Sequence, residues 1–362
     1  MSKRCEFWKD YDSVGGPVSY CELAAFNRPV NPDFLLKIGC TPEKRKECLG
    51  TMELNIGAGA VPGAAPLPAG EQVTPVGSFC PPPEIAKTMV GVAEKKVTTK
   101  MSSLVPLAIL AGAYIALGAI MFTIITNDLA GYIGDGLTRM IGGISFSLGL
   151  ILVILGGAEL FTGNNLIMTG FLEKKVTGKQ LLSNWFWVYL FNFVGSLLVV
   201  LLFYYSGIWK ANAGAIGTRA VAIAASKASL PWVEALFRGI LCNWLVCLAV
   251  WLANAARDVI GKIVGIMIPI AAFVAAGFEH SIANMYFIPM GLALKNQPVL
   301  QSALQAISNI DGLTLGGFFL NNLIPVTIGN IIGGAGFVAA TYWGAYLRPM
   351  LSKKDFAANG KA

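Results

Sequence analysis

The sequence predicts an all-α membrane protein of six spans, arranged as a three-plus-three repeat of inverted halves in which the second and fifth spans are broken. Three observations carry this. Of 362 residues, 55% are hydrophobic and only 13% charged, the balance of a polytopic membrane protein. Six uncharged intervals (101–127, 140–158, 180–209, 239–256, 263–278 and 312–347) stand against the roughly 20 residues a spanning helix needs. Two of the apolar stretches are interrupted by polar knots of matching spacing.

Taken in order, residues 1–56 mix aromatics, charges and cysteines without a clear period and are assigned only as a soluble extension. Residues 57–83 form a Gly/Pro/Ala linker, extended and poorly packed. Residues 84–100 read as an amphipathic helix, with Ile85, Met89 and Val92 on one face and Lys87, Glu94, Lys95 and Lys96 elsewhere, expected at the inner membrane surface. The channel domain follows over 101–350, and a tail over 351–362. Its spans are predicted at 103–125, 140–172, 181–205, 232–253, 261–294 and 315–346, with an Ala/Gly-rich loop up to residue 230 that carries Lys227.

The first residues carry charge with no apolar run behind them, so no secretory signal is read and a cytoplasmic N-terminus is expected. Lys and Arg near the span ends number 12 on the side of the termini and five on the other, which puts both termini inside, in the cell's inner membrane. This bias accounts for the net charge of +7, and no nucleic-acid partner is implied. The seven cysteines contain no Cys-x-x-Cys, so no metal and no cofactor are expected. Cys242 and Cys247 read as packing residues within a span. Cys5, Cys21, Cys40, Cys48 and Cys80 lie in the presumed cytoplasmic region, where disulfides are not expected.

The stretch 140–172 is interrupted only by Glu159. As one helix it would measure about 50 Å against a hydrocarbon core of about 30 Å. In its middle stands Gly156-Gly-Ala-Glu-Leu-Phe-Thr-Gly-Asn-Asn165, rich in helix-breaking residues. The fifth stretch carries Gly277-Phe-Glu-His-Ser-Ile-Ala-Asn284, which holds the only histidine, His280. Broken spans are tolerated where they line a cavity or are buried in protein, and ionisable groups at such depth mark functional sites.

The two knots match. Glu159 and Asn164 are five apart, as are Glu279 and Asn284; Asn184, Asn192 and Gly195 repeat the spacing of Asn322, Asn330 and Gly333. Three spans per unit is odd, so the halves are inverted. Each break then exposes a half-helix N-terminus near the midplane, whose positive dipole end favours an anion.

At Glu159-Leu-Phe-Thr-Gly-Asn-Asn165, Asn243-Trp-Leu-Val-Cys-Leu-Ala-Val-Trp251, Phe278-Glu-His-Ser-Ile-Ala-Asn-Met285 and Asn322-Leu-Ile-Pro-Val-Thr-Ile-Gly-Asn-Ile-Ile-Gly-Gly334, the sequence resembles the formate/nitrite transporter family over about residues 80–350. The resemblance implies an aquaporin-like fold and a homopentamer with one pore per subunit. It further implies that His280 is the central pore histidine, faced by Thr162, and that Lys227 stands beside the pore. Asn243 and Asn322 would flank the chamber. Phe146, Leu150 and Phe273 would form the outer constriction, and Leu160, Phe161 and Val246 the inner one. Residues 1–78 lie outside the family pattern, and the Asn-Pro-Ala boxes of aquaporins proper are absent.

Bland readings stand beside these. His280 can be a satisfied packing histidine, Lys227 an ordinary loop lysine, and the constriction residues plain packing. Glu159 and Glu279, with Asn164 and Asn284, read as braces for the loose N–H groups of the breaks, or as partners of Lys227, rather than as proton carriers. The expected function is passive or proton-coupled passage of a small monovalent anion or weak acid, formate first, with nitrite or hydrosulfide as alternatives. Burying the anion costs at least about 2.5–3.5 kcal/mol and protonating it roughly 5 kcal/mol at pH 7, so the sequence leaves open which form passes. The rival from another class, a membrane-anchored redox subunit using the cysteine-bearing extension, lacks the paired histidines a haem usually takes; no enzyme is expected. Membrane lipid is the surrounding partner, and residues 1–78 are a candidate site for a cytoplasmic one.

Overall fold

The structure, a computed structural model, describes residues 8–13, 16–21 and 79–348. These fall into two units, one within Met1–Thr74 and one within Pro75–Ala362. In the first, strands β1 (Trp8–Ser13) and β2 (Gly16–Cys21) pair antiparallel with Trp8 opposite Cys21 and Ser13 opposite Gly16. Sequence reading missed this hairpin because its six-residue strands interleave the strand formers Trp8, Tyr11, Val18 and Tyr20 with Asp10, Asp12, Gly16 and Pro17, which disfavour strands. The remainder of the predicted 1–83 extension up to residue 78, and the predicted 351–362 tail, lie outside the described residues.

The second unit is helical. Helix α1 (Pro82–Thr98) starts with prolines in its first turn and Glu84, and ends with Lys95 and Lys96, a charge order that suits the helix dipole. Its buried Ile85, Ala86 and Met89 pack on Leu166, Trp251, Val338 and Leu347. The predicted interfacial helix is therefore clamped to protein along its apolar face. Because α1 and the last helix share this cluster, both ends of the unit lie on one face, here the terminal face.

Helix α2 (Met101–Ile125) crosses to the opposite face and α3 (Ala130–Leu155) returns. Helix α3 begins ten residues before the predicted 140–172 span, because its first turns carry Asp135 and Arg139, which a search for uncharged runs rejects. Residues 156–160 break the span, and a short helix α4 completes it over residues 161–172. Helix α5 (Gly178–Ser206) opens with a capping box between Thr177 and Gln180, which satisfies two otherwise orphaned N–H groups.

The second half repeats this order from the other face. Helix α6 (Ala215–Ala228) replaces the predicted loop before residue 230. Its alanines are strong helix formers that leave little hydrophobic period to detect. Helix α7 (Trp232–Ala255) follows, then α8 (Val259–Ala275), a break over 276–280, and α9 (Ser281–Leu294). Helix α10 (Gly317–Leu347) returns to the terminal face through three π-helical stretches. Among the described residues, five helices (α2, α3, α5, α7 and α10) are long and apolar enough to cross a membrane; α8 and α9 together make the sixth crossing.

The breaks are built alike. Gly157 and Gly277 take φ of 78° and 75°, left-handed backbone that glycine adopts without a Cβ clash. The Glu159 N–H donates to the Leu107 carbonyl and the Glu279 N–H to that of Arg238, both at 3.2 Å. Each broken segment thus docks on the first span of its own half.

Close helix crossings hold the halves. A Cβ on Gly195 would collide with the Ile109 carbonyl of α2, and one on Gly333 with the Ile240 carbonyl of α7. Backbone cannot move aside as a side chain can, so a Gly195→Val protein is expected to lose about 1–3 kcal/mol or more of stability. A drop in melting temperature of several degrees, read by tryptophan fluorescence in detergent, checks this. An unchanged melting curve would mean that α2 and α5 do not cross at these glycines.

Candidate functional site

Each break is held by one buried carboxylate. In the first half Glu159 accepts from Lys96 Nζ at 2.8 Å on both oxygens, and from Asn164 Nδ2 at 2.9 Å. Asn164 also donates to Asn184 Oδ1 at 2.9 Å, and Asn184 reaches the Lys96 carbonyl at 3.3 Å. In the second half Glu279 Oε1 accepts from Lys227 Nζ at 2.8 Å, and Oε2 from Asn284 at 2.7 Å and Asn322 at 3.2 Å. Asn284 donates to Asn322 Oδ1 at 2.7 Å, and Asn322 to the Lys227 carbonyl at 2.9 Å. A lysine, a glutamate and two asparagines close a matching circuit in each half, the second adding a bond from Asn322 to the carboxylate.

A third asparagine in each half caps the break. Asn192 Oδ1 accepts the Phe161 N–H, while its Nδ2 donates to the carbonyls of Ala108 and Glu159. Asn330 Oδ1 accepts the Ser281 N–H, and its Nδ2 donates to the carbonyls of Gly239 and Glu279. Unpaired backbone groups at this depth each cost several kcal/mol, which is why three amides and a carboxylate per break are kept in an apolar bundle.

Between the two breaks, Thr162 Oγ1 lies 2.9 Å from His280 Nε2, and both side chains are buried. His280 is also the N-cap of α9, its Nδ1 accepting the Ala283 N–H at 3.1 Å. That bond fixes the tautomer: Nδ1 is the acceptor, so Nε2 carries the hydrogen and donates it to the threonine oxygen. The Thr162 hydroxyl hydrogen remains available to a guest.

Two cavities approach this contact from opposite faces and share no lining residue. The one on the terminal face holds about 510 Å³ and is lined by Lys96, Glu159, Leu150, Leu160 and Gly163, among others. The other holds about 210 Å³ and reaches His280 past Phe146, Phe273 and Phe287, with Lys227 and Glu279 in its wall. The Phe146 and Phe273 rings meet edge to face with centroids 5.9 Å apart, Phe287 stacks on Phe146 at 6.4 Å, and Phe273 stacks on His280 at 6.0 Å.

Lys227 lines the opposite cavity from the last turn of a helix and not from a loop, and is paired with Glu279, with Phe287 5.5 Å from its ammonium. Several other predicted positions land elsewhere. Glu159 pairs with Lys96 and not with Lys227. Leu150, one turn along α3 from Phe146, faces the other cavity. Phe161 packs on Tyr189 and Trp185, and neither it nor the buried Val246 lines either cavity, because the turn out of the break aims Phe161 at α5. Asn322 belongs to the brace. Asn243 donates to the Thr162 and Asn330 carbonyls and to Asn165 Oδ1, so it ties the two breaks together from behind.

Lys96 and Phe287 were missed as site residues. Lys96 had a readable signal, since it precedes the first residue of α2 by five positions as Lys227 precedes that of α7. Phe287 had none, being one more aromatic in an apolar helix.

Six crossings, two braced breaks meeting at the centre, and a vestibule on each face define a membrane transport protein. The family model described as Formate/nitrite transporter matches residues 83–344, and the chain belongs to that family. It is 44% identical over 287 residues to a protein named probable formate transporter from Methanothermobacter thermautotrophicus, covering 75% of this chain and 98% of that one. It is also 44% identical over 245 residues to formate channel FocA of Escherichia coli (strain K12), covering 67% and 86%. Among solved structures, a pentameric formate channel with formate bound aligns with a TM-score of 0.60 at 37% identity, over 71% of this chain and 98% of that one. An FNT family ion channel aligns at 0.62 with 29% identity, over 72% and 98%.

Because Glu279 is buried and Lys227 half-buried against it, removing the lysine strands the carboxylate's charge, at a cost of up to about 3–5 kcal/mol, the range for a buried pair. Lys227→Met is therefore expected to lower the melting temperature more than the double variant Lys227→Met/Glu279→Gln. Thermal unfolding of wild type, both singles and the double closes the cycle. Additive losses would show that the pair is not coupled.

Proposed function

We propose that the protein conducts formate, a small monovalent carboxylate, between the two cavities by way of Thr162 and His280, one pore per subunit of a homopentamer. The terminal face is cytoplasmic in this reading. The contact between Thr162 Oγ1 and His280 Nε2 carries it. His280 lines the opposite cavity, and Leu160 and Gly163, on either side of Thr162 in the chain, line the terminal one, so the bond lies between the two vestibules, and both of its groups can hydrogen-bond a carboxylate once it opens. Formate arriving from either cavity exchanges that one bond for two, accepting Nε2–H on one oxygen and the threonine hydroxyl on the other.

The energetics suit an anion. A charge at the bilayer centre costs at least about 2.5–3.5 kcal/mol, while each hydrogen bond to a charged group returns about 1.5–3 kcal/mol and each helix N-terminus a further ~0.3–1 kcal/mol. The sums are comparable, so binding is strong enough to admit the ion and weak enough to release it. His280 acts here as a neutral donor. Its Nδ1 is occupied by the Ala283 N–H, and a second proton on the ring would have to displace that helix cap. Relatives named for formate favour formate over nitrite and hydrosulfide as the cargo.

The test is uptake of formate, nitrite and hydrosulfide into proteoliposomes, with formate expected to be fastest. His280→Asn keeps a side chain that caps helices well but loses the Nε2–H, so formate flux is expected to fall about 10- to 100-fold, the kinetic equivalent of one charge-assisted hydrogen bond. Assembly, read by gel filtration, should be unchanged. Wild-type flux in an assembled His280→Asn protein would sink the proposal.

A further inference from the structure

The cavity on the opposite face carries more positive charge than the path just described uses. Besides Lys227, its wall includes Arg139, Arg219 and Arg238. Lys227 is answered by Glu279 at 2.8 Å and Arg238 by Glu234 at 2.9 Å. The other two are not. Arg219 is partly buried and its Nε donates to Thr126 Oγ1 at 3.2 Å; among the described residues nothing bonds its two terminal nitrogens. Arg139 has no hydrogen bond or ion pair among the described residues, and it acts on Arg219 through space as a like charge, with only the exposed Asp135 opposing it. Two guanidinium groups sharing one small cavity repel each other unless an anion sits between them.

Their place in the cavity is set by helix geometry. Arg139 precedes Phe146 on α3 by seven residues and Arg219 precedes Lys227 on α6 by eight, which at 1.5 Å per residue puts both about 10–12 Å outward of the aromatic rings and the ammonium. They stand at the mouth. The Thr126 hydroxyl, itself held by the Phe122 carbonyl at 2.8 Å, fixes the Arg219 plane and leaves its terminal N–H groups free to fork onto a carboxylate.

We propose that Arg139 and Arg219 form a carboxylate-capture subsite at the mouth of this cavity, ahead of Lys227 and His280. The inference rests on the reading of this cavity as the formate path. The subsite selects for the carboxylate group itself and not for the small size that the phenylalanine rings impose. Short dicarboxylates such as malonate therefore occupy it without passing, one carboxylate on each guanidinium.

The measurement is isothermal titration of malonate into the purified full-length protein at low ionic strength, beside formate uptake in proteoliposomes. Wild type is expected to bind malonate, and Arg139→Gln and Arg219→Gln to bind it at least fivefold more weakly. In uptake, each variant should raise the half-saturating formate concentration severalfold while keeping the maximal rate. Arg139 is exposed, so its glutamine variant is the arm least exposed to misfolding. A formate-transporting wild type that gives no malonate binding overturns the subsite, as does an assembled Arg139→Gln protein that binds malonate like wild type. A protein that binds malonate through these arginines but carries no formate would instead overturn the transport reading and leave the subsite standing.

Discussion

A carboxylate that holds a helix open at the middle of a membrane, and an ammonium that makes the carboxylate tolerable there, is the arrangement on which the rest depends. A broken span exposes backbone donors and acceptors where no water can reach them. Glu159 and Glu279 allow each break to persist by gathering hydrogen-bond donors around one negative charge: Lys96 and Asn164, the latter held by Asn184, in the first half, and Lys227, Asn284 and Asn322 in the second. An isolated charge of either sign would be expelled or neutralised at this depth. The lysines arrive on α1 and α6, so these two short helices are parts of the pore scaffold and their position is set by it.

The scaffold is symmetric and the site is not. At the residue before each half-helix, the first break carries Leu160 and the second His280; two positions on, Thr162 corresponds to Ile282. The two groups that meet at the centre therefore come from different positions of the repeat, one from each half. Symmetry supplies two dipole ends aimed inward, and departure from symmetry supplies one donor ring and one hydroxyl at hydrogen-bond distance. Leucine on one side and histidine on the other also give the two cavities different floors: aliphatic toward the terminal face, aromatic and polar toward the opposite one.

The charges around the vestibules obey the same division of labour. Lys96 and Lys227 are neutralised by the braces, so their direct pull on an arriving anion is much reduced, and uncompensated charge on the opposite face lies farther out, on Arg139 and Arg219. On the proposed path an anion meets field first, apolar rings next and hydrogen-bond donors last. That order lets it shed water in stages instead of at a single barrier.

By itself the sequence determined the features that period and spacing encode. Charge-free runs of sufficient length could only be spans, the 33-residue run around Glu159 could not be one straight helix, and the shared spacings of Glu159–Asn164 with Glu279–Asn284 and of Asn184–Asn192–Gly195 with Asn322–Asn330–Gly333 exposed the repeat. Those spacings are legible because each is fixed by a local turn of helix. The pairing of Lys96 with Glu159, the helical setting of Lys227, the aim of Phe161 at α5 and of Leu150 at the other cavity, and the meeting of Arg139 and Arg219 at one mouth were decided by tertiary structure. These partners lie about 25 residues apart, as Phe161 and Trp185, to about 80, as Arg139 and Arg219, or on opposite sides of one helix turn, and only packing against a second element determines which way such a side chain points.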